Sequence, residues 1–187
     1  MLCDSQASSA GGSFQFTTDP GKKLGPLFPF GWGLSYSKYQ IGKPNITLPN
    51  GTGVPVGASQ RFVLSIPVTN VDGPVGRVTL GVYSSPQFQL IGQSQPVQRL
   101  LCWNQAEVPA GGQATVTVSC AASDLGMWDL AVGDYLVKGG VYQLTIAQFS
   151  GSPAADKSIT VDVAATPIPK KGESMRDRAE AYSAVKI

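Results

Sequence analysis

Phe62, Leu64, Ile66 and Val68 interleave with Val63, Ser65, Pro67 and Thr69. Side chains on a strand alternate between its two faces, so this spacing predicts a β-strand with one face in a core. It excludes a helix there, because apolar residues at every second position would be scattered around a helical cylinder. Val78, Leu80 and Val82 repeat the pattern, and Val71-Asp72-Gly73-Pro74 between the two runs is a turn sequence. Pro67 has no N–H to give to a ladder, which predicts an edge position or a bulge at that point.

Further strands are predicted over Val97–Trp103 and Ala114–Cys120, on either side of the turn Pro109-Ala110-Gly111-Gly112. Two more are expected around Tyr142, Leu144 and Ile146, and around Ile159, Val161 and Val163. With 22 Gly and 14 Pro in 187 residues, turns are plentiful and no helical period competes within the body. About seven short strands with turns between them describe an all-β chain, an immunoglobulin-like or fibronectin type III-like β-sandwich.

The chain divides into a Gly/Ser-rich flexible segment over 1–25, a junction over 26–36, the sandwich over 37–165 and a charged tail over 166–187. A weak strand-like run surrounds Phe14 and Phe16 in the first segment. Five bases and three acids lie from Lys170 onward, which leaves a body with nine of each. A neutral body lacks the electrostatic footprint of a nucleic-acid binder. No apolar run approaches the roughly 18 residues of a membrane span, so no membrane partner is expected. The first residues, with Asp4 and no apolar stretch, do not read as a signal peptide.

The junction Pro26-Leu-Phe-Pro-Phe-Gly-Trp-Gly-Leu-Ser-Tyr36 resembles the segment that leads into the fibronectin type III-like domain of glycoside hydrolase family 3, the β-glucosidases and β-xylosidases. Phe62–Pro86 is similar to that family's strand ending in Thr-Asn, Gly-containing turn and strand ending in a Tyr. Val118–Phe149 resembles the close of the domain in plant-type β-xylosidases, with Cys120, Leu125, Asp129, Gly140, Tyr142, Leu144 and Ile146 at corresponding points. Trp32 departs from the pattern, which more often has His or Tyr there.

The resemblance implies a C-terminal region that braces catalytic modules, whose parent enzyme hydrolyses O-glycosyl bonds and is commonly secreted or extracellular. In that family the Asp nucleophile and the usual Glu acid/base lie on modules preceding the junction. Retaining hydrolysis needs two carboxyl groups about 5 Å apart, and no residue here corresponds to either, so this chain alone is expected to be inactive. The implied partners are those catalytic modules and a plant-type polysaccharide or oligosaccharide. Phe28, Phe30, Trp32, Leu34 and Tyr36 are the implied interdomain packing residues. The alternative function is a stand-alone carbohydrate-binding or adhesive module.

No cofactor or metal is expected, since the chain has no His and its three Cys lack zinc-site spacing. Asp124, Asp129 and Asp134 form a loose acidic stretch that reads as surface loop acids. In a hairpin turning at Gly111, Cys102 and Cys120 fall opposite each other, as a cross-strand disulfide or as two buried thiols; Cys3 is left over. Asn45-Ile-Thr47 and Asn50-Gly-Thr52 are N-glycosylation triplets in a loop expected to be exposed. Trp32, Trp103 and Trp128 suit packing in the core or between domains; a sugar-stacking platform is the other reading.

Overall fold

The computed structural model describes residues 28–86, 98–129, 133–150 and 157–167. The flexible segment over 1–25, Phe14 and Phe16, Val97 and nearly all of the tail lie outside them. Eleven strands occur among the described residues: β1 (Lys38–Ile41), β2 (Asn45–Thr47), β3 (Arg61–Asp72), β4 (Gly76–Pro86), β5 (Arg99–Val108), β6 (Gln113–Ala121), β7 (Met127–Asp129), β8 (Asp134–Val137), β9 (Gly140–Ala147), β10 (Ser158–Val163) and β11 (Thr166–Pro167). A 3₁₀ turn, Ala122–Leu125, links β6 to β7.

Two antiparallel sheets face each other. In the first, β3 pairs with β6 along its length, and its other edge is shared by β2 opposite residues 63–65 and β1 opposite residues 68–72. The second runs β10-β9-β4-β5. Phe62, Leu64, Ile66 and Val68 from β3 meet Val78, Leu80 and Val82 from β4 and Tyr142, Leu144 and Ile146 from β9, all fully buried in one continuous core. The period-two alternation thus converts directly into burial, which is what holds the sheets together.

The two seams of the sandwich are closed differently. Along one, β5 and β6 lie side by side, bridged by the Cys102–Cys120 disulfide with Cα atoms 5.5 Å apart and by the Asn104 amide donating to the Thr117 carbonyl at 2.6 Å. Along the other, Val56 adds a one-residue parallel bridge to β10: its N–H donates to Asp162 O at 2.9 Å, and Ala164 N–H donates to Val56 O at 3.0 Å.

Three expectations are corrected. β5 and β6 are not a hydrogen-bonded hairpin, because β5 ladders with β4 and β6 with β3. The turn over Pro109–Gly112 carries the chain from one sheet to the other, so the disulfide is an inter-sheet link. Pro67 lies inside a strand paired on both edges. Its carbonyl accepts from Gly42 N–H at 2.8 Å, so its nitrogen faces the gap where β1 has ended and β2 has not begun, and no ladder bond is lost there. Finally, Asp129 and Asp134 lie on strands rather than in a loop: β7 pairs antiparallel with β8, and β11 adds to β8. Thr166 and Pro167 therefore extend the fold two residues into the expected tail.

Candidate functional site

The junction turns at Phe30 and Gly31. Trp32 N–H donates to Pro29 O at 3.0 Å, and Gly31 takes φ +86°, a conformation that L side chains rarely adopt. A Cβ on Gly31 would lie 3.0 Å from Gln148 O and 3.2 Å from Phe149 Cα, so the turn sits directly on the backbone that follows β9. Ser150 N–H donates to Phe30 O at 2.8 Å and fastens the segment there.

On this frame the aromatics form a ridge. Trp32 packs edge to face against Phe149 with ring centres 4.9 Å apart, and Phe28 stacks near Trp32 at 6.3 Å. Phe28, Phe30 and Trp32 all remain open to solvent, at 62%, 66% and 47% exposure. Leu34 and Tyr36 are almost fully exposed and leave the ridge as the chain runs toward β1. Gln148, Phe149 and Ser150 complete the surface, and sequence reasoning did not find them. Phe149 reads in the sequence as a strand end, and only the fold brings it beneath Trp32.

Beyond Tyr36, Ser37 Oγ and Asn70 Nδ2 both donate to Pro74 O at 2.7 Å, tying the junction to the β3–β4 turn. Lys38 and Asp72 form an exposed ion pair at 2.8 Å. The hydrogen bond and attraction between them raise the lysine's pKa and lower the carboxyl's. The interaction belongs to the entire neutral range and is lost only in acid below the ordinary carboxyl value, or in alkali above the ordinary ammonium value.

The remaining expected residues lie elsewhere. Asn45 is exposed on β2, and Asn50 is exposed in the turn after it, with its side chain hydrogen-bonded to Gln60. Trp103 is exposed on β5, and Trp128 is exposed on β7, edge to face with Tyr135 at 5.3 Å. No tryptophan among the described residues is in the core, which leaves packing between domains as the half of that expectation the fold allows. Asp129 pairs with Lys138 at 3.6 Å, and Asp134 accepts the Tyr135 N–H at 2.7 Å. Among the described residues no group of three or more metal-ligating side chains comes together, and no helix is long and apolar enough to cross a membrane.

Comparison with known proteins places this architecture. Residues 79–150 match the fibronectin type III-like domain family. The chain is 27% identical over 143 residues to a β-glucosidase of Rhizobium radiobacter, a match covering 76% of this chain and 16% of the relative. It is 26% identical over 133 residues to a xylan 1,4-β-xylosidase of Xylanibacter ruminicola, covering 71% and 14%. The crystal structure of a β-glucosidase from Streptomyces venezuelae superposes with a TM-score of 0.61 at 25% identity, over 75% of this chain and 17% of that one. The chain thus spans about one-sixth of the length of the relatives it matches. The sandwich, the junction ridge and these matches agree: residues 79–150 form a fibronectin type III-like domain, and the chain is similar to the corresponding portion of β-glucosidases and β-xylosidases.

Proposed function

We propose that this domain is a non-catalytic brace, and that its junction ridge packs against the catalytic modules of a β-glucosidase or β-xylosidase that breaks O-glycosyl bonds. The observation that carries this reading is the Phe28–Phe30–Trp32 ridge, exposed to solvent yet fastened through Ser150, Gly31 and Phe149. Apolar side chains held in a fixed arrangement at a surface favour burial against a second body, each contributing about 1.5–3 kcal/mol when fully covered. The non-catalytic half of the reading rests on the acids: Asp72 and Asp129 are spent on lysines, Asp134 bonds its neighbour's backbone, and the chain has no His to act as a base.

The test joins the 187-residue chain to the catalytic portion of the Rhizobium radiobacter relative in place of its matching region. Trp32→Ala and Phe30→Ala are expected to lower the inactivation temperature of the fusion's β-glucosidase activity by several degrees while the isolated chain's own Tm moves less. Hydrolysis of aryl β-glucosides or β-xylosides by the isolated chain would overturn the non-catalytic claim. Equal thermal inactivation of wild-type and variant fusions would overturn the brace.

A second reading, a carbohydrate-binding module for plant-type polysaccharide, has one observation in its favour. Trp128 and Tyr135 stand exposed together on the β7–β8 pair, where an aromatic face is open to a sugar ring. Retention of the isolated chain on xylan or glucan, lost on Trp128→Ala, would select it over the brace.

A further inference from the structure

The two glycosylation triplets occupy opposite chemical situations. Asn45 and Thr47 lie two apart on β2, so they share its outward face, and both are exposed, while Ile46 between them turns toward the core. Among the described residues β2 is an outermost strand, paired on one side only, through Asn45 opposite Ser65 and Thr47 opposite Val63. Both residues that define the triplet thus face solvent.

Asn50 is exposed as well, but its amide is engaged. Gly57 N–H donates to Gln60 Oε1 at 2.7 Å, which fixes the orientation of the glutamine amide. Gln60 Oε1 then accepts from Asn50 Nδ2 at 2.9 Å, and Gln60 Nε2 donates to Asn50 Oδ1 at 2.7 Å. A reciprocal amide pair of this kind uses, on each side, the N–H that lies beside its own carbonyl oxygen. Asn50 Nδ2 also reaches Pro55 O at 3.4 Å. Together these bonds hold the loop that delivers Val56 to β10 and closes the second seam.

An N-linked sugar makes the side-chain amide secondary, and a secondary amide strongly prefers its trans form. In that form the sugar carbon takes the place of the proton beside the carbonyl oxygen. At Asn50 this is the proton given to Gln60, so the glycan and the amide pair exclude each other. At Asn45 no such pair is displaced.

We propose that Asn45 carries an N-glycan that the folded domain accepts, and that Asn50 is a structural amide, so that only chains left bare at Asn50 complete the fold. The donor class is a lipid-diphosphate-linked oligosaccharide. A bond forms between Asn45 Nδ2 and the anomeric carbon, the bond from that carbon to the diphosphate oxygen breaks, and the lipid diphosphate leaves with the proton lost by nitrogen. The Cys102–Cys120 disulfide fits the oxidising compartment in which this transfer takes place. A glycan on β2 would also cover an open strand edge, where sheets otherwise pair with one another.

The test directs the full 187-residue chain through the secretory pathway of a eukaryotic host and maps both sites by mass spectrometry of the peptides after enzymatic deglycosylation in oxygen-18 water. Transfer precedes folding, so the secreted pool reports which glycoforms the fold accepts. Asn45 is expected to be occupied and Asn50 bare. Asn45→Gln and Thr47→Ala, which remove the triplet from either end, are both expected to abolish the added mass, whereas Asn50→Gln is expected to leave it unchanged. Gln60→Ala is expected to raise Asn50 occupancy in the secreted pool several-fold. Occupancy of Asn50 equal to that of Asn45 in the unmutated chain, or an empty Asn45, would overturn the assignment. An Asn50 that stays bare in the Gln60→Ala chain would overturn the amide-pair mechanism.

Discussion

Gly73 meets two demands at once. Its φ is +101°, and a Cβ there would lie 2.3 Å from Tyr36 O and 2.8 Å from Ser37 Cα. Any side chain must therefore strain the β3–β4 turn and push away the end of the junction. Gly73→Ala is expected to destabilise the domain by about 2–4 kcal/mol, read as a lower urea midpoint at unchanged slope. Tyr142 makes a different prediction. It is buried in the core, its hydroxyl donates to Lys138 O at 2.8 Å, and burial pushes its pKa from 10.0 up to about 12. The folded state holds this proton where the unfolded chain has released it, so the contribution is complete below pH 10 and is lost between pH 10 and about 12. The loss reaches about 3 kcal/mol at the upper end. Alkaline unfolding monitored by circular dichroism should show this slope, and Tyr142→Phe should flatten it.

At the scale of elements, the disulfide joins β5 and β6, the edge strands of opposite sheets. A link closing a loop of this size stabilises by roughly 3 kcal/mol through the entropy of the unfolded chain. Replacing both Cys102 and Cys120 with Ser is expected to lower stability by about 2–4 kcal/mol. The far-ultraviolet circular dichroism should keep its native strand signal, because neither ladder runs through the bridge. The spacing of the two cysteines about Gly111 was legible in the sequence, and so was their proximity. The sheet to which each belongs was not, since a turn that closes a hairpin and one that crosses between sheets use the same Pro and Gly residues. β7, β8 and β11 were also illegible, because strands of two to four residues are too short to display a period.

For the whole molecule, the ridge on one end of the sandwich predicts association. With Phe28, Phe30 and Trp32 uncovered, the isolated chain is expected to self-associate at high concentration. Sedimentation velocity should show this, and replacing all three by Ser should restore a single monomeric species. Much of the fold and part of the site could be read from residue order. Alternation at β3, β4, β6, β9 and β10 determined the sandwich and its inner faces, because in a strand neighbouring positions alone decide which side chains share a side. The junction motif likewise determined the family resemblance and the apolar residues at the boundary. What surrounds each residue was decided only by tertiary structure: Phe149 beneath Trp32, Gln60 against Asn50, Pro67 beside the gap between β1 and β2, and the cysteines across a seam. Such contacts join positions distant in the chain, and local sequence carries no record of them, because which faces meet depends on the way the two sheets fold over one core.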